Sequence, residues 1–168
     1  MSYATVPLNA SHRKGAFNCG KPKLDTYLHS QAKQDVKRKL SACFILADDD
    51  NNVKGYYTLS SAVISRDLLP EDIRKRLPPA YNDLPTTLLG RLAVDNNYQG
   101  QKLGEFLLMD ALKRSLAVSQ EVGSMAVIVD PLDEGAVNFY KKFDFTSLPD
   151  SGKMFLPMVS VAEIFATH

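Results

Sequence analysis

Tryptophan is absent from the 168 residues, cysteine occurs twice and histidine three times. Cys19 and Cys43 stand 24 positions apart with no CxxC pair and no neighbouring ligand histidine, which argues against a zinc site or a disulfide framework and leaves two small buried hydrophobes. His12, His29 and His168 are scattered, without a spacing that marks a general base, and each reads as a surface residue; no metal is expected. No apolar run approaches the roughly 20 residues that a bilayer crossing needs. Nor does a basic segment followed by an apolar stretch open the chain; the expectation is a cytoplasmic, reduced protein with no membrane contact. Charge of one sign is also missing: 20 Lys and Arg face 19 Asp and Glu, so bulk charge cannot hold a nucleic acid. What is present is the composition of an ordinary globule, 45% apolar and 23% charged, at the length of one domain, residues 1–168.

The neutral total hides an asymmetry. Residues 1–40 carry eight Lys and Arg against two Asp, a balance of +6; the other 128 residues carry twelve against seventeen, or −5. Any nucleic-acid contact is therefore local, and a solvated helix is the competing explanation. Leu24, Leu28, Ala32, Val36 and Leu40 recur every four residues, which predicts one amphipathic helix from about residue 23 with Lys33, Lys37 and Arg38 on its polar side. Residues 42–47 and 55–64 flank an Asp/Asn cluster and read as a hairpin. Pro70 opens a short helix carrying Arg74, Lys75 and Arg76, which Pro78 and Pro79 end.

Residues 86–95 form a nearly all-apolar strand, which passes through a polar turn into a helix bearing Leu103, Phe106, Leu107, Leu112 and Leu116. A second buried strand over 124–129 precedes a helix over about 134–142, and a closing hairpin spans 145–148 and 153–159. With no linker and no repeat, this order is that of one α/β domain. A strand entering a helix through a tight turn aims several unpaired N–H groups in one direction and adds the positive end of the helix dipole, a setting that suits phosphate oxygens. Gln99, Gly100, Gln101, Lys102, Leu103 and Gly104 have the composition for it: Gly100 permits the turn, Gly104 permits close approach, and Lys102 adds a cation. Alone, such a glycine pair also marks ordinary loops.

In context, Arg91-Leu92-Ala93-Val94-Asp95 followed by Tyr98 to Leu108 resembles the acetyl-CoA motif of the GNAT acetyltransferase superfamily, whose turn reads Gln/Arg-x-x-Gly-x-Gly/Ala. Ala136-Val137-Asn138-Phe139-Tyr140 through Phe145 resembles the superfamily's second signature, a Phe-Tyr helix followed by Gly-Phe. Lys102 stands at the middle glycine of the first and Asp144 at the glycine of the second. The segments Phe17 to Leu28 and Gln31 to Asp35, and the closing Met154-Phe155-Leu156-Pro157-Met158, resemble the GNAT toxins of bacterial type II toxin–antitoxin modules. The resemblance implies a GNAT fold: a mixed central sheet with flanking helices and a splayed strand pair that holds acetyl-CoA. It further implies acetylation of the α-amine of aminoacyl-tRNA, a block of translation, a ribbon-helix-helix antitoxin and a homodimer.

Acetyl transfer from a thioester needs a neutral amine, a polarised carbonyl and protonation of the departing thiolate. Main-chain N–H groups of Leu92, Ala93 and Val94 are the candidates for the carbonyl and the pantetheine arm, their side chains being core. The resemblance implies that Tyr140 is the general acid, as a phenol is protonated at pH 7; the alternative is a core tyrosine. Asn138 is a candidate cofactor contact or a solvated helix position. No carboxylate or histidine is marked as a base; Asp95 reads as a turn or cap residue, with a base as the alternative. Lys33, Lys37, Arg38, Arg74, Lys75 and Arg76 are candidates for tRNA phosphates. Two other readings stand beside the toxin: a metabolic acetyltransferase acting on a small-molecule amine or a protein N-terminus, which would surround its amine with acidic groups, and a non-catalytic, antitoxin-binding co-repressor.

Overall fold

The computed structural model describes residues 2–166, so His168 lies outside the described residues. Seven strands form a mixed sheet of order β1-β2-β3-β4-β5-β7-β6, and its elements fall into two compact units, 1–60 with 89–114, and 61–88 with 115–168. Strands β3 (Val53–Ser65) and β4 (Asp83–Val94) and helix α4 (Leu103–Glu121) each give one part to each unit.

In the first unit, β1 (Val6–Pro7), β2 (Ala42–Ala47) and the start of β3 pair antiparallel, with Val6 opposite Ile45 and Phe44 opposite Tyr57. Helices α1 (Pro22–Ser30) and α2 (Ala32–Lys37) stand where one helix was expected. The Ser30 hydroxyl donates to the Thr26 carbonyl at 2.8 Å, a back-bond that bends helices, and Gln31 leaves helical geometry at φ −124°. Leu28 and Ala32 keep the apolar stripe buried through the break, whereas Leu40 falls past the end of α2 and is 63% exposed. The stripe closes on Phe17, Tyr56 and Ala93. The Tyr56 hydroxyl donates to the Leu24 carbonyl, and Arg91 of β4 lies 3.5 Å over the Tyr27 ring, which bolts the basic helix pair onto the sheet.

Residues before β1 are held to α4 by a buried acid that sequence patterning did not single out. Asp110 accepts from the Ala4 N–H, the Thr5 hydroxyl and the Tyr57 hydroxyl, while Arg114 lies between the rings of Tyr3 and Phe44. Gly55 marks where β3 passes α4: a Cβ there would stand 2.8 Å from Leu107 Cδ1 and 3.0 Å from the Ala93 carbonyl, so any side chain would have to displace the buried Leu107.

The second unit holds α3 (Glu71–Arg74), β5 (Ala126–Val129), α5 (Glu134–Lys142), β6 (Thr146–Ser147), β7 (Met154–Pro157) and α6 (Met158–Ala166). Strand β7 pairs antiparallel with both β5 and β6 over a core of Ile64, Leu84, Ile128, Leu148 and Phe155. Arg66 donates to the carbonyls of Arg74, Leu77, Pro78 and Tyr81 and so ties down the end of α3. The closing hairpin is shorter than expected, because the chain turns helical at Met158 and not after Val159. The run of valines and alanines after Pro157 fits a strand as well as it fits a helix packed on one side, and patterning over so short a stretch does not separate the two.

Candidate active site

Strand β4 is only partly covered toward its end. Ala93 is buried, as expected of core, but Leu92 and Val94 are half-buried, which corrects the reading of all three side chains as core. After it Asp95, 5% exposed, caps a 3₁₀ turn (Asn96–Tyr98) by accepting from the Asn97 N–H at 2.9 Å. The cap reading of Asp95 is therefore the right one.

Gly100 takes φ +85° in open space, where no neighbour would meet a Cβ, so its glycine serves the backbone conformation alone. Lys102 takes φ +61°, the left-handed conformation that its glycine-equivalent position demands, and it is exposed. From there α4 begins at Leu103, with Gly104 in its first turn and the Phe106 N–H reaching back to the Lys102 carbonyl. The N–H groups of Gly100, Gln101, Lys102, Leu103 and Gly104 make no hydrogen bond among the described residues. Five consecutive unbonded donors thus stand at the start of a 19-residue helix, beside an exposed ammonium, the setting that suits anion oxygens.

In the second unit, α5 starts on Asp133, whose carboxylate accepts from the Ala136 N–H at 2.8 Å. Its end is a paired-bond C-cap: the Phe145 N–H donates to the Tyr140 carbonyl and the Asp144 N–H to the Lys141 carbonyl, with Asp144 at φ +70°. The Tyr140 and Phe145 rings meet at 5.2 Å, the apolar contact that accompanies such a cap. Tyr140 is 7% exposed, and burial pushes its phenol well above the ordinary value of 10.0, so it holds its proton throughout the physiological range. Its hydroxyl has no hydrogen-bond partner among the described residues, which leaves the proton free to be given elsewhere. Asn138 is exposed on the same helix.

Lys33, Lys37 and Arg38 are exposed on and just after α2 and are in no ion pair among the described residues. Arg74 is half-buried, Lys75 lies 3.7 Å from Glu71 with both side chains exposed, and Arg76 is exposed. Sequence patterning missed the contacts that hold residues 95–99: the Gln99 amide donates to the Cys19 and Val94 carbonyls, and the Asn18 N–H donates to Asp95. The signal that pointed there was Phe17-Asn18-Cys19-Gly20, whose glycine adopts φ +89°.

Known proteins share this fold. A "tRNA-acetylating toxin" of Mycobacterium tuberculosis is 36% identical over 134 residues, 80% of this chain and 78% of its own. The solved structure of the toxin AtaT complexed with acetyl-methionyl-tRNAfMet superposes with a TM-score of 0.88 at 30% identity, covering 96% of this chain and 98% of that one. A Tyr-to-Phe mutant of AtaT, bound to the C-terminus of the antitoxin AtaR and acetyl-CoA, gives 0.81 at 26% identity and covers 97% and 98%. The profile of the acetyltransferase (GNAT) family matches residues 16–145, from the loop before α1 to the end of the α5 cap. The chain belongs to the GNAT acetyltransferase family.

Proposed function

We propose that this protein transfers the acetyl group of acetyl-CoA to the α-amine of aminoacyl-tRNA and thereby stops translation in the cytoplasm, as one acetyltransferase domain. The five unbonded N–H groups from Gly100 to Gly104 carry the reading, since they supply what a CoA pyrophosphate requires. Gln99 steadies the turn and Lys102 adds charge. Backbone N–H groups of Leu92, Ala93 and Val94 polarise the thioester carbonyl and align the pantetheine arm, with Asn138 a further contact. The neutral amine attacks the carbonyl carbon, the C–S bond breaks, Tyr140 gives its proton to the thiolate, and solvent takes the proton lost by the amine. An aminoacyl ester has a less basic amine than a lysine side chain, so a neutral fraction exists at pH 7 without a dedicated base.

Lys33, Lys37 and Arg38 of the first unit and Arg74, Lys75 and Arg76 of the second contact tRNA phosphates. The name of the Mycobacterium tuberculosis relative and the AtaT complex with acetyl-methionyl-tRNAfMet support the substrate, and the AtaR complex supports a protein antitoxin as partner; that this antitoxin is of the ribbon-helix-helix class rests on the sequence resemblance. The test is to incubate purified protein with radiolabelled acetyl-CoA and a mixture of charged tRNA, polyamines and peptides. Label should enter the tRNA fraction and be recovered as N-acetyl amino acid after ester hydrolysis. Label in polyamine or peptide alone would overturn the proposal. Gly104→Glu, which puts a carboxylate among the N–H groups, should abolish acetyl-CoA binding in a calorimetric titration.

A further inference from the structure

The turn that presents those N–H groups does not stand by itself. Both carboxylate oxygens of Asp95 are taken by main-chain donors: Oδ1 accepts from Asn97 at 2.9 Å, and Oδ2 accepts from Asn18 at 3.0 Å, a residue 77 positions away. The Asp95 N–H donates to the Lys54 carbonyl, and the Asn96 N–H to the Asn18 carbonyl, both at 2.8 Å. Gln99 Nε2 lies 3.2 Å from the carbonyls of Cys19 and Val94 and 3.0 Å from Asn96 Oδ1. On its other side the same loop is fixed to α1, because the Cys19 N–H donates to Asp25 at 2.8 Å and the Phe17 carbonyl lies 3.0 Å from His29 Nε2. At Gly20 an added Cβ would stand 3.4 Å from Asn96 Oδ1, in a conformation that already disfavours side chains.

We infer that Asp95 is a positioning residue which, with Asn18 and Gln99, straps residues 95–99 to the loop before the basic helix pair and so sets the direction of the free N–H groups. A carboxylate 5% exposed, with each oxygen accepting a main-chain N–H, serves this geometry and not proton abstraction. The strap also explains why the Phe-Asn-Cys-Gly segment and the cofactor turn occur together in one sequence: the first is the mount of the second. Preorganised donors bind an anion without first ordering themselves, so loosening the mount costs affinity and leaves the chemistry of the bound complex in place.

The inference rests on the proposed cofactor role of residues 100–104, and its test separates the two. Asp95→Asn has one carbonyl oxygen, enough to cap the 3₁₀ turn or to hold Asn18 but not both; Gln99→Met removes the bridging amide at similar length. In the cofactor-free protein, the hydrogen-bonded amides of Asn18 and of residues 96–99 should exchange with solvent about tenfold faster in Asp95→Asn than in the wild type. The Kd for acetyl-CoA should rise about tenfold, while kcat at saturating acetyl-CoA and its pH profile stay as in the wild type. Unchanged exchange and unchanged Kd would overturn the strap. A fall in kcat with loss of one limb of the pH profile, at unchanged Kd, would overturn it too and make Asp95 a base. Should Asp95→Asn not fold, Gln99→Met decides by the same exchange measurement. A wild type that fails to bind acetyl-CoA would sink the proposed function, and the exchange comparison would still judge the strap.

Discussion

Of the five described non-glycine residues at positive φ, two stand in the site motifs. Lys102 and Asp144 take φ +61° and +70°, and both stand at glycines of the motifs the sequence resembles. A left-handed conformation costs an L-residue about 1–2 kcal/mol, less for aspartate than for lysine because its short polar side chain bonds locally. Lys102→Gly should therefore raise the thermal midpoint while weakening acetyl-CoA binding and flattening its salt dependence, since the exposed ammonium goes with the strain. Calorimetric titration at two salt concentrations checks this, and equal affinity with an unchanged salt slope would leave Lys102 no part in the anion site. Tyr140→Phe keeps the ring against Phe139 and Phe145 and removes only the protonated hydroxyl. A folded variant with normal acetyl-CoA affinity and acetyl transfer slowed by about 10²–10⁴-fold is expected in single-turnover assays; near-normal turnover would return Tyr140 to a packing role.

Among the elements, α2 gives the clearest separation of charge from structure. Its buried side, Ala32 and Val36, packs into the first core, while Lys33, Lys37 and the following Arg38 point to solvent. Reversing those three charges to Glu leaves the packing untouched, so the fold should hold. The apparent KM for charged tRNA should rise, with no change in KM for acetyl-CoA, and the slope of tRNA affinity against salt should fall by about one for each phosphate that is no longer neutralised. Filter binding across a salt series measures it, and an unchanged slope would remove α2 from the tRNA surface.

For the molecule as a whole, buried phenols and thiols set the alkaline limit of stability. Burial raises Tyr56, Tyr57 and Tyr140 well above 10.0, and pushes Cys43 up to about 12 and Cys19 up to about 11 from 9.0. Each group keeps its proton in the folded chain at a pH where the unfolded chain has lost it. Their contribution is complete below about pH 9 and drains away as pH rises through 9 and 10 toward the folded values. His12, expected at the surface but 8% exposed with its Nδ1 accepting from the Asn9 N–H, acts with the opposite sign: burial lowers its pKa from 6.5, so the unfolded chain takes up a proton first and stability falls below about pH 6.5. Thermal melts from pH 5 to pH 11 should show a plateau near pH 7–8.5 with a decline on both sides. A melting temperature that stays level to pH 11 would contradict the burial of the tyrosines.

Much of this was legible in local pattern. Periodicity gives the amphipathic stripe of α1 and α2 and the α5 span, because a 3.6-residue repeat acts within a few residues. The strand, turn and helix around Gly100 could be read for the same reason, and so could positive φ at Lys102 once its place in the motif was seen. Local pattern could not reveal that Ser30 would break one helix into two, or that residues after Pro157 would turn helical, since a single back-bond or one-sided packing decides each. Nor could it reveal the mount of the cofactor turn. Asp95 looks like any turn aspartate until the fold brings the Asn18 N–H to 3.0 Å, and whether its second oxygen faces solvent or a main-chain donor is decided by a contact 77 residues distant, which only the folded chain makes.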